Sequence, residues 1–170
     1  MPDENILAGN TVLAQAEAEV MKRVQPAMRQ NVDKVLTSIL KVALNRGPQG
    51  LMSHLKEGDP IETVVRGSIA ITSILRRQST GTMPPQAMVA AAFIAVLHGL
   101  AFVEKAGIMK IGPTELDTAT EMFADEIAKS AGLTPERVAE MTAQTQSVMG
   151  NSEQTAELQK NFGGADGPVE

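Results

Sequence analysis

PPQAMVAAAFIAVLHGLAFVEKAG, residues 84–107, is the stretch on which the reading of this chain turns. No Asp, Glu, Lys or Arg occurs from Gln78 through Val103, and residues 87–103 form a 17-residue run broken only by His98 and Gly99. At about 1.5 Å of rise per residue a helix of that length covers roughly 26 Å, just short of the roughly 30 Å hydrocarbon core of a bilayer. Six alanines weaken its drive into lipid, and a chain with no Trp and no Tyr lacks the usual interfacial anchors. The segment is therefore expected to be the central buried helix of a helical bundle, with membrane insertion and an intersubunit position as alternatives. Within it Ala87, Ala91, Ala95 and Gly99 recur every fourth residue, so one face carries almost no side chains and another backbone can approach closely. Together with Phe93 and Phe102 they form the candidate oligomer or membrane interface. His98, beside the stripe, reads as a hydrogen-bonded interior histidine, because no second ligand stands at helical spacing from it. If buried, it would make stability or insertion sensitive to acid.

Outward from this segment the punctuation is helical throughout: Asp, Thr and Pro open segments, Gly closes them, and period-two alternation is not sustained anywhere. The chain reads as all-α, a bundle of five to six helices. A first helix is expected from about Asp3 to Gln25, with Ile6, Gly9, Leu13, Ala16, Val20 and Val24 on one stripe. Pro26 interrupts it, having no amide proton and a ring that crowds the preceding turn. A second helix follows over about Ala27 to Arg46, burying Val32, Val35, Leu36, Ile39, Leu40 and Ala43, and a short helical turn covers Gln49 to Lys56. Asp59-Pro60-Ile61-Glu62 is a compact helix start, with a capping carboxylate and a proline at the first helical position. That helix is expected to reach about Arg77. Pro113 opens an amphipathic helix closed by Gly132, and Thr134-Pro135-Glu136 opens a last one ending by Gly150. Residues 1–150 are thus expected as one helical domain, and residues 151–170 as a polar, mobile tail in which Phe162 is the one aromatic side chain.

Composition removes whole classes of function. Zero Cys excludes disulfides, thiolate nucleophiles and Cys-ligated zinc, and two His leave little from which to build a histidine metal site. Four Phe are too few for an aromatic platform that stacks bases. The chain contains no phosphate-binding glycine loop, no nucleophile elbow and no paired-histidine zinc motif. Glu115, Asp117, Glu121, Asp125 and Glu126 gather on one helix, but Leu116, Ala119, Phe123, Ile127 and Ala131 claim its inner face and leave the acids to solvent. A non-enzymatic protein without metal or cofactor is the expectation. Charge is uneven: residues 1–110 carry 12 basic and 9 acidic side chains, and residues 111–170 carry 3 and 11. That asymmetry suits a partner-facing region and disfavours a nonspecific hold on nucleic acid at the acidic end. The opening MPDENILAGN lacks the basic and apolar blocks of a secretory signal, so synthesis in a cytoplasm is expected.

Two resemblances follow. Ile127-Ala128, Gly132-Leu133, Val138 and Met141 resemble the apolar and glycine pattern of helix-turn-helix proteins over residues 124–146. That likeness implies a recognition helix from Thr134 to Gln144 with Arg137 and Gln144 as DNA contacts, although Glu136 and Glu140 oppose phosphate on the same helix. Over the whole chain, the Ala-, Met- and Gln-rich helical composition, the apolar helix of borderline membrane length and the polar tail resemble small internal virion proteins of tailed bacteriophages. This second resemblance implies a homo-oligomer that is made in the bacterial cytoplasm, packed in the virion with other assembly proteins and released during DNA ejection. It also implies envelope contact through residues 87–103.

Overall fold

The computed structural model describes residues 6–45, 47–132 and 136. Among them there are six α-helices and no strand: α1 (Thr11–Arg23), α2 (Pro26–Ala43), α3 (Gly47–Lys56), α4 (Pro60–Gln78), α5 (Pro85–Lys105) and α6 (Pro113–Ser130), with a 3-10 turn at Ile6–Gly9. The chain divides into two compact units, Met1–Ile127 and Ala128–Glu170. In the second, the described residues are the end of α6, its glycine turn at Gly132 with φ +71°, and Glu136. The domain boundary expected near residue 150, the helix expected after Thr134, the tail and Phe162 lie outside the described residues.

Local chemistry sets the helix starts. Pro26, Pro60, Pro85 and Pro113 each occupy the first helical position, where a missing N–H costs nothing. Asp59 Oδ1 accepts from the amides of Ile61 at 2.8 Å and Glu62 at 3.1 Å, closing the first turn of α4. At α6 the reciprocal half of a capping box forms, with the Gly112 amide donating to Glu115 Oε2 at 2.9 Å. α5 stops where Gly107 adopts φ +70°. The Gly107 amide then reaches the Glu104 carbonyl, and the Ile108 amide reaches the Val103 carbonyl. This paired closure needs a left-handed residue that glycine supplies without strain.

The first helix departs from expectation. A continuous helix from Asp3 does not form through Asn10, because that residue leaves the helical region and its Oδ1 accepts from the Val12 and Leu13 amides to start α1. Its other end is tied far along the chain: Nδ2 donates to Glu104 Oε2 at 2.8 Å and to the Ile111 carbonyl at 2.9 Å. Glu104 Oε1 accepts in turn from the Ile111 amide at 3.1 Å. One amide side chain therefore caps α1 and joins it to the end of α5 and the following loop.

α5 is central and packs against α1, α2 and α4. Its sides join two apolar clusters. Ala92, Val96, Leu97, Leu100 and Val103 meet Leu13 of α1, Val64 and Val65 of α4, and Ala119 and Phe123 of α6. Ala87, Met88, Ala91, Ile94 and Ala95 meet Val32, Val35 and Ile39 of α2. A helix apolar all round is satisfied only by lipid or by protein on every side. Here 61% of its most apolar 18-residue window is buried within the chain, although it is long and apolar enough to cross a membrane.

Candidate functional site

The small-residue stripe is occupied internally. Ala87, Ala91 and Ala95 are buried in the cluster with α2. At Gly99 a β-carbon would stand 2.5 Å from Val64 Cγ1 of α4, closer than such atoms approach. The close backbone approach expected from the every-fourth-residue pattern is therefore made, but by helices of the same chain. In this fold α2 and α4 cover the stripe from within the same chain. Phe93 is partly buried and meets Phe123 edge-on, with centroids 5.1 Å apart and planes at 60°. Phe102 is partly buried at the opposite end of α5. Arg137 and Gln144, the candidate DNA contacts, lie outside the described residues.

Where α2, α3, α4 and α5 fail to close on one another, an apolar cleft of about 620 Å³ remains. Leu40 and Ala43 of α2, Leu51 and Leu55 of α3, Val64 and Ile71 of α4, and Phe102 of α5 supply most of its wall. Val42 and Leu44, also lining it, are 48% and 46% exposed. Its size is that of pockets which enclose small ligands, and its polar groups are few. They are Thr63, Ser68 and the chain's two histidines, His54 and His98. Thr63 is satisfied by the Asp59 carbonyl at 2.8 Å. His98 Nε2 lies 3.2 Å from Glu17 Oε1 of α1, so it is hydrogen-bonded as expected but only part-buried. The cleft leaves no trace in the sequence, because its lining comes from four helices and the Ile6 turn, and only the two histidines hint at a common place.

Two glycines on facing helices behave oppositely. Gly99 admits no side chain, whereas at Gly67, in the middle of α4 and on the cleft wall, a β-carbon would meet nothing within 4 Å. Gly67→Ala is therefore expected to stabilise the fold by about 0.5–1 kcal/mol, since alanine restricts the unfolded chain and suits a helix interior. The measurement is a urea midpoint, and a lowered midpoint would show that the space over Gly67 is not open.

A second, shallower groove of about 750 Å³ runs between the α1–α2 junction, α5 and α6, lined by Val20, Val24, Met28, Val89, Phe93 and Phe123. Val89 is 41% exposed there. The acids of α6 do not converge. Glu126 pairs with Arg66 of α4 at 3.7 Å, Glu115 caps its own helix, and Asp117, Glu121 and Asp125 are exposed. Among the described residues no group of three or more His, Asp or Glu is placed to hold a metal ion. On α1, the hydrogen bond and charge of Lys22 hold the Glu19 carboxyl below its ordinary range, but Glu19 lines neither cavity. Comparison with known proteins finds no matching family model, no matching curated protein and no matching solved structure.

Proposed function

We propose that the protein is a non-enzymatic helical structural protein that assembles with copies of itself and with other virion proteins of a tailed phage, in the service of genome ejection. The phage setting rests on the compositional resemblance. The observation that carries the assembly reading is the groove at Val89. The core of α5 is closed within the chain, yet Val89 leaves a large apolar side chain in water beside Phe93 and Phe123. An exposed apolar side chain flanked by a partly buried aromatic suits the core of a protein interface. Envelope contact through residues 87–103 belongs in this reading to a later state, because α5 must first leave both clusters.

Size-exclusion chromatography with light scattering tests the assembly. Wild-type protein is expected to increase in mass with concentration. Val89→Glu places a charge at the centre of the groove and is expected to weaken that association by about tenfold or more while helical circular dichroism is unchanged. A monomer at every concentration, or association indifferent to the substitution, would refute the reading.

A further inference from the structure

The walls of the Val89 groove differ in charge. On the α1–α2 wall Arg23 lines the groove, and Arg29 follows the lining Met28. On the α6 wall Glu121 and Asp125 follow the lining Thr120 and Ala124, and Asp117 stands one turn before Glu121. All five charged side chains are exposed. Among the described residues none of the five is in an ion pair, whereas Glu19 holds Lys22 and Glu126 holds Arg66. The surface that α5 contributes, with Val89 and Phe93, carries no charge. The uneven charge of the chain, basic through residue 110 and acidic after it, is thus brought to two sides of one apolar surface.

We infer, resting on the assembly read from Val89, that the occupant of this groove is the same groove of a second copy, related by a two-fold axis that runs along it. Facing surfaces related by a two-fold axis make each contact twice, one residue on another and the reverse. The axis lies between the faces, and its direction decides which walls meet. An axis along the groove sets the α1–α2 wall of each chain over the α6 wall of the other, so Arg23 and Arg29 oppose Glu121 and Asp125 twice. An axis across the groove sets like walls together, arginines on arginines and carboxylates on carboxylates. Apolar burial around Val89 is available to both arrangements and does not choose between them. Charge does, because opposite potentials steer encounter and fix register, while like charges brought together are costly. The same charges select the partner. A uniformly basic or uniformly acidic surface suits one wall and is repelled by the other, whereas a second copy brings both signs in the required order.

Sedimentation equilibrium of the full chain at low salt tests the pairing by charge reversal. Wild-type mass is expected to rise with concentration and to level at two chains, since a two-fold interface closes on itself. Arg23→Glu and Glu121→Arg are each expected to weaken the dimer by about tenfold with unchanged helical circular dichroism, because either reversal sets like charges together at two places. Mixed in equal amounts, the two variants are expected to associate as tightly as wild type. In the mixed dimer the two reversed positions face each other, and so do the two native ones. High salt is expected to shrink these differences, because the charges stand in solvent. Single reversals that leave the association unchanged, no recovery on mixing, or a mass that climbs past two chains each overturn the two-fold pairing. Where any of these occurs while wild type associates and Val89→Glu weakens it, assembly through the groove stands and only the pairing falls. A wild-type chain that is monomeric at every concentration refutes both.

Discussion

Leu97→Ala is expected to lower the free energy of unfolding by about 3 kcal/mol, within the roughly 2–5 kcal/mol span of buried leucine truncations. Leu97 is fully buried, in the cluster that joins α5 to α1, α4 and α6. Truncation removes its transfer free energy and leaves a cavity, because neighbours on three helices cannot all move inward together. For a chain of this size each kcal/mol shifts the midpoint by about 2–4 °C, so thermal denaturation should fall by roughly 6–12 °C. A shift within error would mean that this side of α5 faces lipid or solvent, and the core assignment would fail with it.

Ala91→Leu is expected to cost a similar amount, about 2–3 kcal/mol, by the opposite mechanism. Ala91 has no exposed surface and sits among Val32, Val35 and Ile39 of α2. A leucine there must push α2 outward or take a poor rotamer, and overpacked interiors lose about 1–3 kcal/mol for each such insertion. The same variant separates the two places the stripe could serve. If the stripe is internal, Ala91→Leu lowers the denaturation midpoint of dilute protein and the loss does not depend on concentration. If it pairs two chains, the variant changes mass in solution and leaves dilute stability untouched. A dilute midpoint equal to wild type would therefore place the stripe between chains.

Much of the helical framework was legible because its signals are local. Asp59-Pro60 starts α4, Pro85 and Pro113 start α5 and α6, and Gly107 ends α5, each through bonds that span a few residues. Asn10 falls inside the expected first helix for the contrary reason. Its partners Glu104 and Ile111 stand 94 and 101 residues away, and no periodicity near Asn10 announces them. That His98 is hydrogen-bonded was legible, but neither its part-buried position nor its partner, Glu17 of α1. The cleft was not legible, since Ser68 and Gly67 become notable only when four helices have left a gap beside them.

The sequence by itself determined that α5 is a helix, that it is apolar on every side, and that one of its faces is bare enough for close approach. These follow from the order of side chains along a 3.6-residue turn. Only the tertiary structure decided what makes that approach. An apolar surface is satisfied equally by lipid, by a second copy or by its own chain, because burial is non-directional and rewards area rather than identity. Val32, Val35 and Ile39 of α2 and Val64 of α4 reach the stripe within the same molecule and cover it there. Among the described residues it leaves exposed instead the apolar side chains of the cleft rim, the Val89 groove and Ile74.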